Sequence, residues 1–195
     1  MVYTADLKSA ALNKLAGSSP ALPTKKIMIS FPVINDVHKE ILLQGWLEED
    51  LESVKSAKTF ADLFVVALRV LNRMEQPIIE LCGPVSNGGR GSRNANIEYF
   101  EESTVRLIQS GKIIFNIVPF ENKIEEIWLA EEAAGKTPTL FEDFYFPIFE
   151  SGFIAEGYFL PDWETSAGAK KEHDKLAELN IPLTHLSPDW DNQPA

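Results

Sequence analysis

Cysteine and histidine are scarce in this sequence. It contains one cysteine, Cys82, and three histidines, His38, His173 and His185. One cysteine cannot form a disulfide within the chain, and it cannot build a cysteine-based metal cluster. Because the histidines also lack the close spacing of metal ligands on one helix, the sequence predicts no metal site.

Long apolar segments are missing as well. No run approaches roughly 18 apolar residues, the length that crosses a membrane. The first residues also lack the basic stretch and apolar core of a signal peptide. We therefore expect a cytoplasmic protein without a transmembrane helix, and the single cysteine fits that reducing location.

Basic charge is short in the second part of the chain. The first 76 residues hold nine acidic and nine basic residues, so residues 77–195 carry the whole net charge of −11. A surface this acidic predicts no general affinity for nucleic acid or for anionic membranes. An anionic small molecule would bind only through local hydrogen-bond donors.

Residues 1–76 are predicted to form a mainly helical extension. A helix at 6–16, a linker at 17–23 and a strand at 26–33 come first. Asn35 is a good N-cap for a helix that continues to about Ser56, and Thr59 is a good N-cap for the next one. Both helices have an apolar face but no residues typical of chemistry. We expect them to pair with each other or to pack on the following domain, as a scaffold or an oligomer interface.

From Pro77 onwards, strands and helices alternate. The predicted strands are 77–82, 113–118, 157–160 and 182–186, the predicted helices are 94–110, 123–134 and 166–179, and an aromatic-rich segment spans 139–150. This alternation predicts an α/β domain over residues 77–195, a flavodoxin-like or Rossmann-like three-layer sandwich with a parallel sheet of four to five strands. Ligands bind such sheets at the carboxyl ends of the strands, where the loops 83–93, 119–122 and 161–167 are expected.

The start of the last predicted helix carries the most informative pattern. Ser166 is a good N-cap, and the free amides and positive dipole end of a helix start suit an anion. Gly168 weakens the first turn, which the close approach of a ligand or a strand would explain. Glu172 lies four residues further on the same face, so the pattern predicts an inward carboxylate.

Two simpler interpretations of this helix stay open. Glu172 would then be a partly exposed residue paired with a nearby arginine, and Ser166 would be an ordinary N-cap. His173, the neighbour of Glu172, is a further candidate acid or base.

A glycine-rich loop follows the first predicted strand of the domain. Its sequence is CGPVSNGGR at residues 82–90, and it precedes a helix. Gly88 and Gly89 permit positive φ and let the backbone approach a ligand. Arg90 and Arg93 are candidate phosphate donors. The loop matches neither a P-loop nor a dinucleotide-binding fingerprint, and a solvated surface loop is the alternative interpretation.

Together the two segments resemble the nucleoside 2-deoxyribosyltransferase-like superfamily. The strand followed by CGPVSNGGR, with Gly83 directly after Cys82, is similar to the start of the 2′-deoxynucleoside 5′-monophosphate N-glycosidases. Ser166-x-Gly168-x-x-x-Glu172 is similar to their Ser-x-Gly-x-x-x-Glu signature. The run LPDWETSAGA at 160–169 looks closest to a branch that reads L-P-G-W-x-x-S-x-G-A-x-x-E. The resemblance covers about residues 77–186.

The resemblance implies a set of roles for the candidate residues. Glu172 would be the nucleophile, and Ser166 and Gly168 would contact a 5′-phosphate together with Arg90. The family carries an Asp near the start of the third strand that holds the sugar hydroxyls; here Glu156 stands one position from the expected place. Glu156 is therefore the second catalytic candidate, ranked ahead of Asp162, and would orient the sugar or protonate the base. The remaining substrate-binding candidates lie in the two loops and are Gly83, Gly88, Gly89, Asp162 and Trp163.

The activity that follows is N-glycosidic bond cleavage or 2-deoxyribosyl transfer on a nucleoside or its 5′-monophosphate. It requires no metal and no organic cofactor, and the family implies a homo-oligomer, dimeric or larger. Two other classes of function stay open. One is a nucleotide-binding module that senses without cleaving, and the other is a structural or partner-binding protein on the same fold.

Overall fold

The computed structural model of the protein describes residues 40–192. The helices are α1 Glu48–Ser56, α2 Phe60–Leu71, α3 Arg93–Gln109, α4 Val118–Ala133, α5 Phe146–Glu150 and α6 Ala167–Glu178. The strands are β1 Ile78–Cys82, β2 Ile113–Phe115, β3 Ile154–Phe159 and β4 Leu183–His185. A π-helix spans Phe141–Tyr145, and two 3-10 helices span Trp163–Thr165 and Trp190–Asn192. The helix, linker and strand expected before residue 34 lie outside the described residues.

The four strands form one parallel sheet in the order β2-β1-β3-β4. Each strand returns to the sheet through at least one helix, as a parallel connection requires. All five residues of β1 are buried, which fits a central strand with its faces covered. The predicted α/β fold of Rossmann-like type is thus confirmed, with four strands among residues 40–192.

The chain before β1 packs into the core of the sheet. The fully buried side chains of α2, such as Leu63 and Leu71, belong to one continuous apolar cluster with β1 and α4. The helix expected from Asn35 to about Ser56 is not continuous, because the chain turns at Gly45 (φ +82) and α1 begins after Leu47. Residues 35–39 lie outside the described part. A domain boundary at residue 76 stays a prediction.

One predicted loop is wrong, and the correction matters for the site. Residues 119–122 are not a loop, because α4 begins at Val118 rather than at Lys123. Pro119 stands in the first turn of the helix, where its missing N–H costs nothing and its fixed φ is already helical. Asn116 supports this turn, since its Oδ1 accepts from the Val118 amide at 3.1 Å. The first turn of α4 therefore follows β2 almost directly.

The π-helix and α5 fill the aromatic-rich segment between α4 and β3. Phe144 and Phe149 are buried there, and the Phe144 ring meets the Phe120 ring of α4 edge-on at 5.0 Å. Within residues 40–192, no helix combines the length and the apolar character that spanning a membrane requires.

A buried ion-pair cluster fixes α1 on α2. Asp50 is fully buried, accepts from the Leu47 amide at 3.0 Å, and pairs with the guanidinium of Arg73. Nε of Arg69 lies 3.6 Å from the other carboxylate oxygen. The carboxylate is fully buried, whereas both arginine side chains are partly exposed to water. Removing Asp50 would therefore leave two guanidinium groups that are still partly hydrated.

Replacing Asp50 with Ala should lower the free energy of unfolding by about 3 kcal/mol, the low end for breaking a buried pair. Chemical denaturation measures this loss. The matched control is Glu52→Ala, which breaks the exposed Glu52–Lys55 pair and should cost less than about 1 kcal/mol. Equal effects of the two substitutions would contradict the role assigned to Asp50.

Candidate functional site

A pocket opens at the carboxyl ends of β1 and β2. Most of its empty space of about 370 Å³ is open to solvent, and the enclosed part is small. The loop after β1 contributes Gly83, Val85 and Ser86, and α6 contributes Ser166, Gly168 and Glu172. This is the edge at which parallel sheets bind ligands.

The opposite wall of the pocket comes from α3, α4 and the π-helix. Glu121 of α4 supplies a carboxyl group, and Phe100, Phe141 and Tyr145 supply aromatic rings. A pocket with an apolar wall and a few convergent polar groups is typical of a small-molecule site.

Helix α6 places a carboxyl group on its buried face. Ser166 is the N-cap, with its Oγ accepting from the Ala169 amide at 3.3 Å. The buried residues of α6 are Gly168, Ala169, Glu172 and Leu176, as the helical spacing predicts. The Glu172 side chain thus enters the pocket from the second turn of the helix.

Burial dominates the electrostatics of Glu172. Loss of hydration raises its pKa to about 8, a hydrogen bond from the Cys82 thiol lowers it, and the Glu121 carboxyl raises it. The alternative in which Glu172 pairs with an arginine does not hold, because no ion pair among the described residues involves it. Glu172 is therefore a buried acid whose charge is not compensated by a cation.

Glu121 is a second buried acid of the pocket. Burial raises its pKa to about 7, against the lowering effects of the Arg93 guanidinium and of a hydrogen bond from Tyr145. Nη2 of Arg93 lies 3.5 Å from Oε2, and the Tyr145 hydroxyl lies 3.4 Å from Oε1. Both oxygens of this carboxyl group are thus held in place.

Glu80 is a third buried acid, one layer deeper in the sheet. It stands two residues before Cys82 on β1, so the two side chains share a face of the sheet. Burial, and next the charge of Glu172, raise the pKa of Glu80 well above its usual value. Among the described residues, its Oε2 has no hydrogen-bond partner. A neutral Glu80 is the form that this environment favours.

Glu156, the predicted second carboxylate, does not line the pocket. It lies in the middle of β3, paired with Ile79, and not at the carboxyl end of the strand. Its Oε1 accepts from the Thr184 hydroxyl at 2.6 Å. The second carboxyl group in the lining of the pocket belongs to Glu121 and not to Glu156.

Arg90 and Asp162 also lie away from the lining of the pocket. The Arg90 guanidinium stacks over the Tyr99 ring at 3.9 Å, and its side chain is exposed. Asp162 forms an exposed turn with φ 64, and its carbonyl accepts from the amide of Thr165 at 2.9 Å. Neither residue contacts the pocket in this arrangement.

Trp163 belongs to a cluster of four rings beside α6. It stacks on His173 with centroids 4.4 Å apart and an interplanar angle of 11°. Phe159 and His185 complete the cluster, each within 5.4 Å of Trp163. This packing explains Trp163 and His173 without a role in the pocket.

The glycines of the loop after β1 serve packing on the turn before α6. A Cβ on Gly88 would lie 2.3 Å from Oγ1 of Thr165, and the Gly89 amide donates to the same oxygen at 3.0 Å. Both have positive φ, as predicted. Asn96, at the start of α3, holds the loop through bonds from its Nδ2 to the carbonyls of Val85 and Gly88. The loop at Gly88 and Gly89 therefore approaches Thr165 closely and not a ligand. Of the three glycines Gly83, Gly88 and Gly89, Gly83 is the one that lines the pocket.

Comparisons with protein families, with curated proteins and with solved structures find no match to this chain. The superfamily suggested by the two motifs therefore stays a prediction, and the function is argued from the pocket.

The acids of the pocket should make stability depend on pH. Glu172 stays protonated in the folded chain up to a pKa of about 8, while in the unfolded chain it ionises near its ordinary value of about 4.5. Between these values the folded state binds the extra proton, so stability falls as the pH rises, by up to about 1.4 kcal/mol per unit. Below about pH 4.5 this loss is absent.

Replacing Glu172 with Gln should remove this dependence. The free energy of unfolding of the variant minus that of the wild type should increase steadily from about pH 5 to about pH 8. Denaturant titration at each pH measures this difference. Glu164→Gln, at an exposed position, is the matched control and should give a flat difference. A flat difference for Glu172→Gln would show that its carboxyl group is not buried as described.

Proposed function

We propose that this pocket cleaves the N-glycosidic bond of a nucleoside or of a nucleoside 5′-monophosphate, with Glu172 as the nucleophile. The observation that carries the proposal is the buried carboxyl group of Glu172 in a pocket at the carboxyl ends of the strands, facing a second carboxyl group, Glu121. Glu172, Ser166 and Gly168 line this pocket together, and these three residues form the motif that resembles the deoxyribosyltransferase-like proteins.

The proposed reaction has two displacement steps. A carboxylate oxygen of Glu172 attacks the anomeric carbon, the bond from that carbon to the base breaks, and its electron pair leaves on the base nitrogen, which takes up a proton. Water then attacks the glycosyl ester and gives hydrolysis, or a second base attacks and gives transfer. The transition state is similar to an oxocarbenium ion, and carboxylates beside it stabilise its positive charge.

The two acids suit an exchange of one proton. With pKa values of about 8 for Glu172 and about 7 for Glu121, the pair holds one proton in a range near neutral pH. In that range the proton lies mostly on Glu172, the weaker acid, so the reaction proceeds through the minor form in which Glu121 holds the proton and Glu172 is ionised. The Cys82 hydrogen bond favours the ionised form of Glu172, which is the form that attacks.

The aromatic wall suits the base. Phe141 and Tyr145 stand on the π-helix and Phe100 on α3, all lining the same pocket as the acids. A nucleobase that stacks on such rings would be desolvated and held over Glu172. The mechanism uses no cofactor. The homo-oligomer implied by the resemblance stays a prediction.

One observation favours a second function, a nucleotide- or nucleoside-binding module without turnover. With its pKa raised to about 8, Glu172 is mostly neutral at pH 7, and a neutral carboxyl group donates a hydrogen bond instead of attacking. Turnover separates the two functions.

Incubation of the protein with deoxynucleosides and their 5′-monophosphates should release free base. Chromatography measures the amount of base released. Glu172→Gln should lower the rate at least about 1000-fold, because an amide cannot form the glycosyl ester. Glu156→Gln is the matched control and should keep most of the activity, since Glu156 bonds Thr184 and lies away from the pocket. Release by Glu172→Gln at the wild-type rate would contradict the proposal, and saturable binding without release would favour the binding module.

A further inference from the structure

We infer that the preferred ligand of this pocket is an uncharged nucleoside and not a nucleoside 5′-monophosphate. The inference rests on the proposed function, and it departs from the phosphate contact that the Ser166 motif suggests. It is drawn from the placement of charged groups around the pocket.

Among the described residues, the lining side chains that can carry a charge near neutral pH are carboxyl groups. Glu121 and Glu172 line it, and Glu80 lies behind Glu172 at 1% exposure. None of the lining residues within the described part of the chain is a lysine or an arginine. A phosphate dianion here would face acids without a cation to offset them, and its charge would also oppose the ionisation of Glu172 that the reaction needs.

The nearby arginines are engaged elsewhere. Arg93 lies 3.5 Å from Glu121 and 3.8 Å from Glu125, so its charge is shared between two carboxyl groups. Arg90 is stacked on Tyr99 and exposed. Because the chain has a net charge of −11, an anionic ligand would need local hydrogen-bond donors to bind. These two arginines do not supply such donors to the pocket.

Within residues 40–192, two positive features remain at the rim. The start of α6 carries roughly half a positive charge, and the Ala169 amide there already donates to the Ser166 hydroxyl, which leaves one amide fewer for an anion. The Lys171 ammonium lies 4.4 Å from the centroid of Phe141, a ring of the pocket wall, and its side chain is exposed to water. Neither places a full positive charge within the pocket, where it would offset a phosphate beside the acids.

An uncharged sugar meets the same groups favourably. Hydroxyl groups of the sugar donate to carboxylate oxygens, and such charge-assisted bonds are stronger than neutral ones. The positive charge that develops on the sugar in the transition state is stabilised by the same acids. The arrangement thus suits a neutral substrate that becomes cationic as it reacts.

The test compares each deoxynucleoside with its own 5′-monophosphate. For the best base, kcat/KM of wild-type protein should be at least about tenfold higher for the nucleoside. The preference should shrink as salt is raised, because salt screens the repulsion. Equal or better use of the monophosphate would overturn the inference while leaving the proposed function intact.

A binding measurement keeps the inference testable if no base is released. Calorimetry with the same pairs should show tighter binding of the nucleoside. Tighter binding of the nucleoside with no release of base would contradict the proposed reaction but would support the inference that the ligand is an uncharged nucleoside. Tighter binding of the monophosphate, or binding of neither ligand, would overturn the inference.

Lys171→Met tests the role of this ammonium group at the rim. The preference ratio should stay within about twofold of the wild type, because Lys171 is solvated and its loss leaves the acids in place. A tenfold loss of monophosphate use with nucleoside use unchanged would show that Lys171 holds a phosphate, and would overturn the inference.

Discussion

Close packing of α6 on the sheet is the constraint on which the site depends. Gly157 of β3 has no side chain, and a Cβ there would lie 2.7 Å from Cδ1 of Leu176. Leu176 is fully buried and stands one helical turn after Glu172 on the same face. The contact that seats Leu176 therefore also draws the Glu172 carboxyl group out of water.

This burial has an energetic cost that the rest of the site shares. Glu80, Glu121 and Glu172 are each at most 8% exposed, and apolar residues of similar size would fill these positions with less loss of hydration. The folded chain offsets the cost with a thiol hydrogen bond to Glu172, with Arg93 and Tyr145 at Glu121, and with a proton at Glu80. Three such acids around one pocket are typical of a site for chemistry or binding.

Periodicity and alternation in the sequence were sufficient for the fold and for one side of the pocket. Strand–helix alternation predicts the parallel sheet, and helical spacing from Ser166 predicts the inward face of Glu172, since both signals are local. The other side was missed for physical reasons. Pro119 suits the residue after a strand and also the first turn of a helix, so the local signal predicts a loop at 119–122 and assigns no role to Glu121.

The remaining differences come from tertiary packing. A shift of one residue along a strand moves a side chain to the other face of the sheet. A residue also reaches the ligand only if it lies near the carboxyl end of its strand. The sequence alone could not place Glu156 for these two reasons. The positive φ of Gly88 and Gly89 was predicted, but their contact with Thr165 joins positions far apart in the chain. The π-helix that carries Phe141 and Tyr145 has no established sequence signal, although such turns are frequent at functional sites.

In the proposed reaction, Glu172 becomes covalently bonded to the sugar. A nucleoside with fluorine at the 2′ position of its sugar slows hydrolysis of a glycosyl ester, because fluorine destabilises the positive charge of the transition state. The most direct measurement is an acid quench of the protein with such a nucleoside, followed by peptide mass spectrometry. The account predicts a fluoropentosyl group on Glu172. Base release with no label on Glu172, or a label on another residue, would contradict it.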